Sequence, residues 1–166
     1  MCSALPSTIL EHGQKSSAEM RISMNKQTRE LLQECSSGCK MAVRSIDQVK
    51  EYTKEESLEL ILERYRKEHE NLLEEIIHLL GEEGITPEEP GKMATAMAWT
   101  NIEIKMLMEA DSHQIAKVMM DGCNMGIQSV SEYKNKYTEA SDESISIANK
   151  LVNIEERFME ELRAFM

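Results

Sequence analysis

The sequence contains few of the residues that build sheets and tight turns. Aromatic residues make up only 4% of the chain, and its 166 residues include only seven Gly and three Pro. Strands are enriched in aromatic side chains, and a chain of many strands needs frequent turn residues. Methionine, in contrast, occurs 13 times, and its flexible thioether packs readily between helices. The composition therefore predicts an all-α protein.

Positive charge is also scarce. The formal net charge is −11, and the basic residues form no cluster beyond isolated pairs. A domain that binds duplex nucleic acid needs a basic face to displace counterions, and an anionic membrane surface attracts the same kind of face. No apolar run approaches the length of about 20 residues that spans a bilayer. We therefore expect neither nucleic acid nor a membrane as a partner.

The first 20 residues lack the pattern of a secretory signal. The stretch "MCSALPSTILEHGQKSSAEM" has no basic segment followed by an apolar one. It is rich in serine and weakly patterned, so we predict a flexible tail at residues 1–20. Residues 21–166 form one predicted domain, and the expected location is the cytoplasm.

A repeated sequence indicates how that domain is organised. "GCKMAVRSI" at residues 38–46 resembles "GCNMGIQSV" at residues 122–130. Apolar residues at steps of three and four predict four helices, which cover about residues 22–52, 57–80, 112–137 and 145–162. "TKEE" at 53–56 fits a capping box for the second helix, with Thr53 as cap. Gly81 and Gly84 are expected to end that helix, and Asp111 or Ser112 to cap the third.

The connection between the two predicted hairpins is long. It comprises a loop at residues 81–92 and an apolar segment at 93–110 that is predicted to be helical. Two antiparallel helical hairpins joined by one long crossover with its own helix have the topology of a ferritin-like four-helix bundle. The segment at 93–110 is apolar on more than one face, which predicts a homodimer through this helix.

A few chemically active residues lie on the apolar stripes of the four predicted helices. They are Cys35 and Cys39 on the first helix, His69 on the second, Cys123 on the third and Glu155 on the fourth. Residues at one level of an antiparallel hairpin have a constant sum, which places Cys39, His69, Cys123 and Glu155 within about one helical turn, roughly 5 Å, of one another. We expect reduced thiols, because disulfides are rare in the cytoplasm.

This layer has a structural interpretation and a chemical one. In the structural one, the thiols are small packing groups, Gly38 and Gly122 allow close helix packing, and the Glu155 carboxylate pairs with Arg66 or His69. In the chemical one, Cys39, His69, Cys123 and Glu155, with Cys35 as a further candidate, bind zinc or another thiophilic metal.

Several of these stretches also resemble a known family. "MAWTNIEIKMLMEADSHQIAKVMMDGCNMGIQSVSEY" and "LLQECSSGCKMAV" resemble bacterial ferritin-like four-helix-bundle proteins of unknown function. The resemblance covers roughly residues 28–166 and implies a ferritin-like bundle in a bacterial cytoplasm with no established activity. Di-iron members of the wider fold use four Glu and two His ligands. Matched by level, only His69 and Glu155 remain here, and Cys39 and Cys123 stand where two carboxylates would be, which argues against ferroxidase activity.

We therefore expect a non-enzymatic bundle with a structural, interaction or stress-associated role and without a cofactor. The alternative is a metal-binding or redox protein that uses the Cys, His and Glu layer. A third hypothesis, binding of a small ligand or haem by the Met-rich crossover, has only the methionines in its favour, and these are typical of soft packing.

Overall fold

Four long helices form the part of the chain that the structure, a computed structural model, describes: residues 23–90 and 111–166. They are α1 (Lys26–Lys50), α2 (Glu56–Glu82), α3 (Ser112–Lys136) and α4 (Asp142–Leu162), and a short 3₁₀ helix (Arg163–Phe165) follows α4. These two ranges contain no strand. The prediction of an all-α protein with four helices is confirmed. The predicted tail at 1–20 and the predicted helix at 93–110 lie outside the described residues.

The helix ends agree with the sequence at most positions. Asp111 caps α3, because its side chain accepts a hydrogen bond of 2.9 Å from the backbone N–H of Gln114. Gly84, with φ of +70°, supplies the left-handed residue that ends α2, whereas Gly81 lies within the helix. The predicted capping box is wrong. The hydroxyl of Thr53 donates to the carbonyl of Val49 at 3.0 Å and so belongs to the end of α1.

The two hairpins confirm the predicted antiparallel pairs, since α1 packs against α2, and α3 against α4. The helices α2 and α4 also run antiparallel. Their ion pairs join Glu75 to Lys150, Glu68 to Arg157 and Arg64 to Glu161. The residue numbers on α4 therefore rise as those on α2 fall.

Contacts at the two ends of the bundle fix the remaining helix directions. At one end, Thr28 near the start of α1 accepts a hydrogen bond of 2.8 Å from the N–H of Ser141, between α3 and α4. At the other end, Ser112 at the start of α3 donates to Glu55 at the start of α2, at 2.7 Å. Hence α1 and α4 run in one direction and α2 and α3 in the other. The chain between α2 and α3 must cross the length of α2, about 40 Å for its 27 residues.

The first part of that crossover lies along α1. The carbonyl of Thr86 accepts a hydrogen bond from Gln33 at 3.2 Å, and Arg44, three turns further along α1, binds Glu89 at 2.7 Å. None of the helices that the structure describes is long and apolar enough to cross a membrane.

The start of α1 provides a test of the fold, because Asn25 has two roles there. Its side-chain oxygen accepts from the N–H of Thr28 at 2.8 Å, and its amide donates to the carbonyl of Glu139 at 3.0 Å. We expect Asn25→Ala to lower the free energy of unfolding by about 1–2 kcal/mol, as measured by urea denaturation. Asn25→Asp keeps the cap and loses the contact with Glu139, so it should recover most of the loss. Equal losses in both variants would show that the cap contributes little.

Candidate functional site

The core layer predicted from the sequence exists, and its centre is a pair formed by His69 and Glu155. Both side chains are buried, with residue exposures of 0% and 6%, and Nε2 of His69 lies 3.2 Å from Oε1 of Glu155. A buried carboxylate without a partner would be costly, and the imidazole supplies that partner. The predicted pairing of Glu155 with His69 is therefore confirmed.

Arg66, the other proposed partner, does not face Glu155. Its guanidinium binds Asp47 on α1 at 2.5 Å and Glu70 on its own helix at 2.8 Å. Arg66 lies at the edge of the buried stripe of α2, where these two carboxylates are within reach while the charge stays partly hydrated. Pairing with Glu155 would require burial of a guanidinium that already has two surface partners, and so this prediction is wrong.

The second ring nitrogen of His69 determines where its protons are. Nδ1 lies 2.7 Å from the backbone carbonyl of Tyr65, which can only accept, so Nδ1 carries a hydrogen. Nε2 then shares one further proton with the Glu155 carboxyl group, because two lone pairs at 3.2 Å would repel each other. Burial on its own lowers the pKa of His69, but the hydrogen bond and negative charge of Glu155 outweigh it and raise the pKa above its usual value.

Aromatic packing holds this pair in place. The ring of Tyr65, one turn before His69, stacks on the ring of Phe158, one turn after Glu155, with centroids 4.5 Å apart and planes at 16°. The Tyr65 hydroxyl donates to Oε1 of Glu161 at 2.7 Å. Each member of the polar pair thus has an aromatic neighbour on its own helix, and the stacking fixes α2 against α4 at this level.

The three thiols of the described chain are buried and protonated. Burial raises the pKa of Cys39 and of Cys123 well above the usual value, and the negative charge of Glu155 acts in the same direction on both. The Cys123 thiol also hydrogen-bonds to Glu155. Burial, followed by the charge of Glu34, raises the pKa of Cys35 to about 12. All three cysteines are free. Thiolate chemistry at neutral pH is therefore disfavoured at each of them.

Glycine contacts correct one detail of the predicted packing. A Cβ atom at Gly38 would lie 3.2 Å from Cδ2 of Leu151, which confirms close helix packing there. At Gly122 no described atom lies within 4 Å of such a Cβ. At Gly126, which sequence analysis missed, a Cβ would lie 3.2 Å from Oε1 of Glu155. Only its place one turn after Gly122 on the same helix could have suggested this role.

The metal-ligand set can be compared with this geometry. The negative charge of Glu155 raises the pKa of Cys39 and of Cys123, and Nε2 of His69 lies 3.2 Å from Oε1 of Glu155. Within residues 23–90 and 111–166, however, no three or more His, Cys, Asp and Glu side chains are arranged so that they could hold a metal ion. The zinc set of Cys39, His69, Cys123 and Glu155, with Cys35, stays a prediction.

Comparison with known proteins supports the fold and nothing finer. No protein-family model matches this chain, and no curated protein sequence matches it either. The solved structure of a DUF305 fragment from Deinococcus radiodurans is similar, with a TM-score of 0.68 over 85% of this chain and 95% of the fragment. The identity is 14%, so this similarity concerns the helical fold alone.

The shared proton predicts a pH-dependent stability. Because the pKa of His69 is raised in the folded protein, folding retains a proton that the unfolded chain releases above about pH 6.5. The stabilisation is complete below that pH and is lost as the pH rises through the folded pKa. Urea denaturation between pH 6 and 8 should show the free energy of unfolding falling by up to about 1.4 kcal/mol per pH unit. The variant His69→Gln should lack this slope, and an unchanged slope would contradict the assignment.

The pair also predicts a specific cost of removing its charge. Glu155→Gln should lower the free energy of unfolding by about 1–3 kcal/mol, because the buried imidazole loses its counter-charge. The control is Glu75→Gln, which removes an exposed partner of Lys150 on the neighbouring helix and should cost at most about 1 kcal/mol. Similar losses in the two variants would show that the buried pair contributes no more to the free energy of unfolding than an exposed ion pair does.

Proposed function

We propose that this chain is a non-enzymatic, ferritin-like four-helix bundle of the bacterial cytoplasm with a structural or interaction role, such as one associated with stress. The observation that supports this most is the state of its core layer. The Glu155 carboxylate is already paired with His69, and the thiols of Cys39 and Cys123 beside it are protonated. Reactive groups that are buried and satisfied by one another stabilise a fold and leave little for catalysis.

The helix directions support the ferritin-like part of the proposal. Hairpins α1–α2 and α3–α4, with α2 parallel to α3 and a crossover along the length of the bundle, match the topology with one long connection. The missing carboxylates argue against iron oxidation, since Cys39 and Cys123 occupy the layer where oxygen ligands would be needed. The similarity to the DUF305 fragment supports the helical fold of this proposal.

One observation favours the alternative of a metal site. The hydrogen bond from Nδ1 to the Tyr65 carbonyl aims Nε2 of His69 at Glu155, which is how metal-binding histidines are commonly oriented. The separation of 3.2 Å between Nε2 and Oε1 is also close to the roughly 3.3 Å between two ligands of one tetrahedral zinc ion with bonds of about 2 Å. Binding would require Cys39 and Cys123 to lose protons that their surroundings retain.

Elemental analysis of purified protein, combined with thiol titration under denaturing conditions, separates the two proposals. The non-enzymatic proposal predicts four free thiols per chain, no stoichiometric metal after exposure to zinc, and Fe(II) oxidation no faster than in buffer. One zinc ion per chain that is lost in Cys39→Ser but retained in His113→Gln, which changes an exposed histidine, would establish the metal site instead. Circular dichroism should show both variants folded.

The proposed homodimer through residues 93–110 has its own test. We expect light scattering to give twice the chain mass of 19.0 kDa at high micromolar concentration. Replacement of Ile102 and Leu107 by Glu should shift the mass towards the monomer, because charges would enter an apolar interface. A monomeric mass for the unchanged protein would contradict the proposal.

A further inference from the structure

The two open flanks of the bundle differ in character. Between α2 and α4, the ion pairs of Glu75, Glu68 and Arg64 with their partners on α4 cross a shallow surface depression with charged and polar walls. Between α1 and α3 there is instead a groove with a cavity of about 60 Å³. We call it the α1–α3 groove; its walls include Gly38, Met41, Met119, Gly122, Met125 and Tyr133.

The groove is apolar at its walls and leads to the polar layer. Cys123 and Glu155 line it together with the methionines. Met125 is 41% exposed, whereas most large apolar side chains of the four helices are buried. Exposure of the apolar walls of the α1–α3 groove to water is unfavourable. A partner surface that covers these walls should therefore stabilise the protein.

Residues 91–110 connect to the described chain at the two helices that form this groove. Before residue 91, Glu89 is held on α1 by Lys40 and Arg44, so residues 85–90 run along α1, one of the two helices that form the groove. After residue 110, Asp111 caps α3, which is the opposite wall. The 20 residues between these two anchors are therefore attached to both helices that form the groove.

The length of this segment exceeds what the connection requires. From the level of Arg44 to the end of the bundle where α3 begins, the axial distance is about 10–16 Å, at 1.5 Å per helical residue. Twenty residues span about 30 Å as a helix and about 66 Å when extended. The surplus is enough to extend over the groove. Its sequence suits apolar walls, because it contains Met93, Met97, Trp99, Ile102 and Leu107 among others.

We propose that the α1–α3 groove is the binding surface for residues 91–110 of the same chain. The assignment holds whether or not the layer binds a metal. It explains why α3 has a glycine at 122, where the described chain shows no close neighbour: a second backbone approaches there. It also places an apolar segment between water and the pair formed by Cys123 and Glu155.

A matched pair of glycines tests the proposal. Gly81 in α2 and Gly122 in α3 both lie within helices, both are exposed, and a Cβ atom at either meets no described atom within 4 Å. Leucine favours helices more than glycine does, so Gly81→Leu should raise the midpoint of urea denaturation. Gly122→Leu should lower it, because the side chain displaces residues 91–110. An increase of the midpoint in both variants would overturn the proposal.

A disulfide scan identifies the occupant directly. In a Cys2→Ser background, Met125→Cys is combined in turn with Met97→Cys, Trp99→Cys and Met106→Cys. At least one pair should form a disulfide within one chain, since bridging requires Cα atoms within about 7 Å. Leu60→Cys, which changes a residue of α2 that is 66% exposed, is the control for Met125→Cys and should give none. Disulfides only between chains would assign the groove to a second copy and overturn the proposal, as would failure of every Met125 pair.

Discussion

Glu155 loses nearly all contact with water when the four helices pack, and the free energy of that burial must be offset inside the core. His69 does this with one nitrogen, while the Tyr65 carbonyl fixes the other. Gly126 has no side chain to displace the carboxylate. At this level of the core the buried polar contact between α2 and α4 is the one from His69 to Glu155, and the stacked rings of Tyr65 and Phe158 fix the adjacent level.

The composition of this layer could be predicted because helical stripes and short connections are both evident in the sequence. Cys39 and His69 are equally far from residue 54, which lies in the connection between α1 and α2, and Glu155 interrupts an otherwise apolar stripe. The choice between Arg66 and His69 could not be made, since residues three apart lie on nearly the same helix face. Arg66 binds the surface carboxylates of Asp47 and Glu70, and this leaves His69 as the partner of Glu155. Thr53 was misassigned for a similar reason, because its hydroxyl had two helix ends within reach.

The two flanks of the bundle differ in the side chains that face each other across them. Exposed ion pairs between α2 and α4 each contribute little, but their regular spacing favours one register of these helices. Between α1 and α3 the walls include glycines and methionines beside Glu34 and Tyr133, and a cavity of about 60 Å³ remains between them. A ferritin-like bundle with carboxylate ligands would have its chemistry at the centre of all four helices. Here Glu155 of the core layer also lines the groove between α1 and α3, on one side of the bundle.

The proton held between His69 and Glu155 also affects the net charge of the folded chain. The formal net charge of −11 counts every histidine as neutral and Glu155 as ionised. Because the pair raises the pKa of His69, the folded chain is less negative than this count at pH values between the unfolded and the folded pKa. Unfolding in that range releases protons to the buffer, and the apparent unfolding enthalpy from calorimetry will depend on the ionisation enthalpy of the buffer chosen.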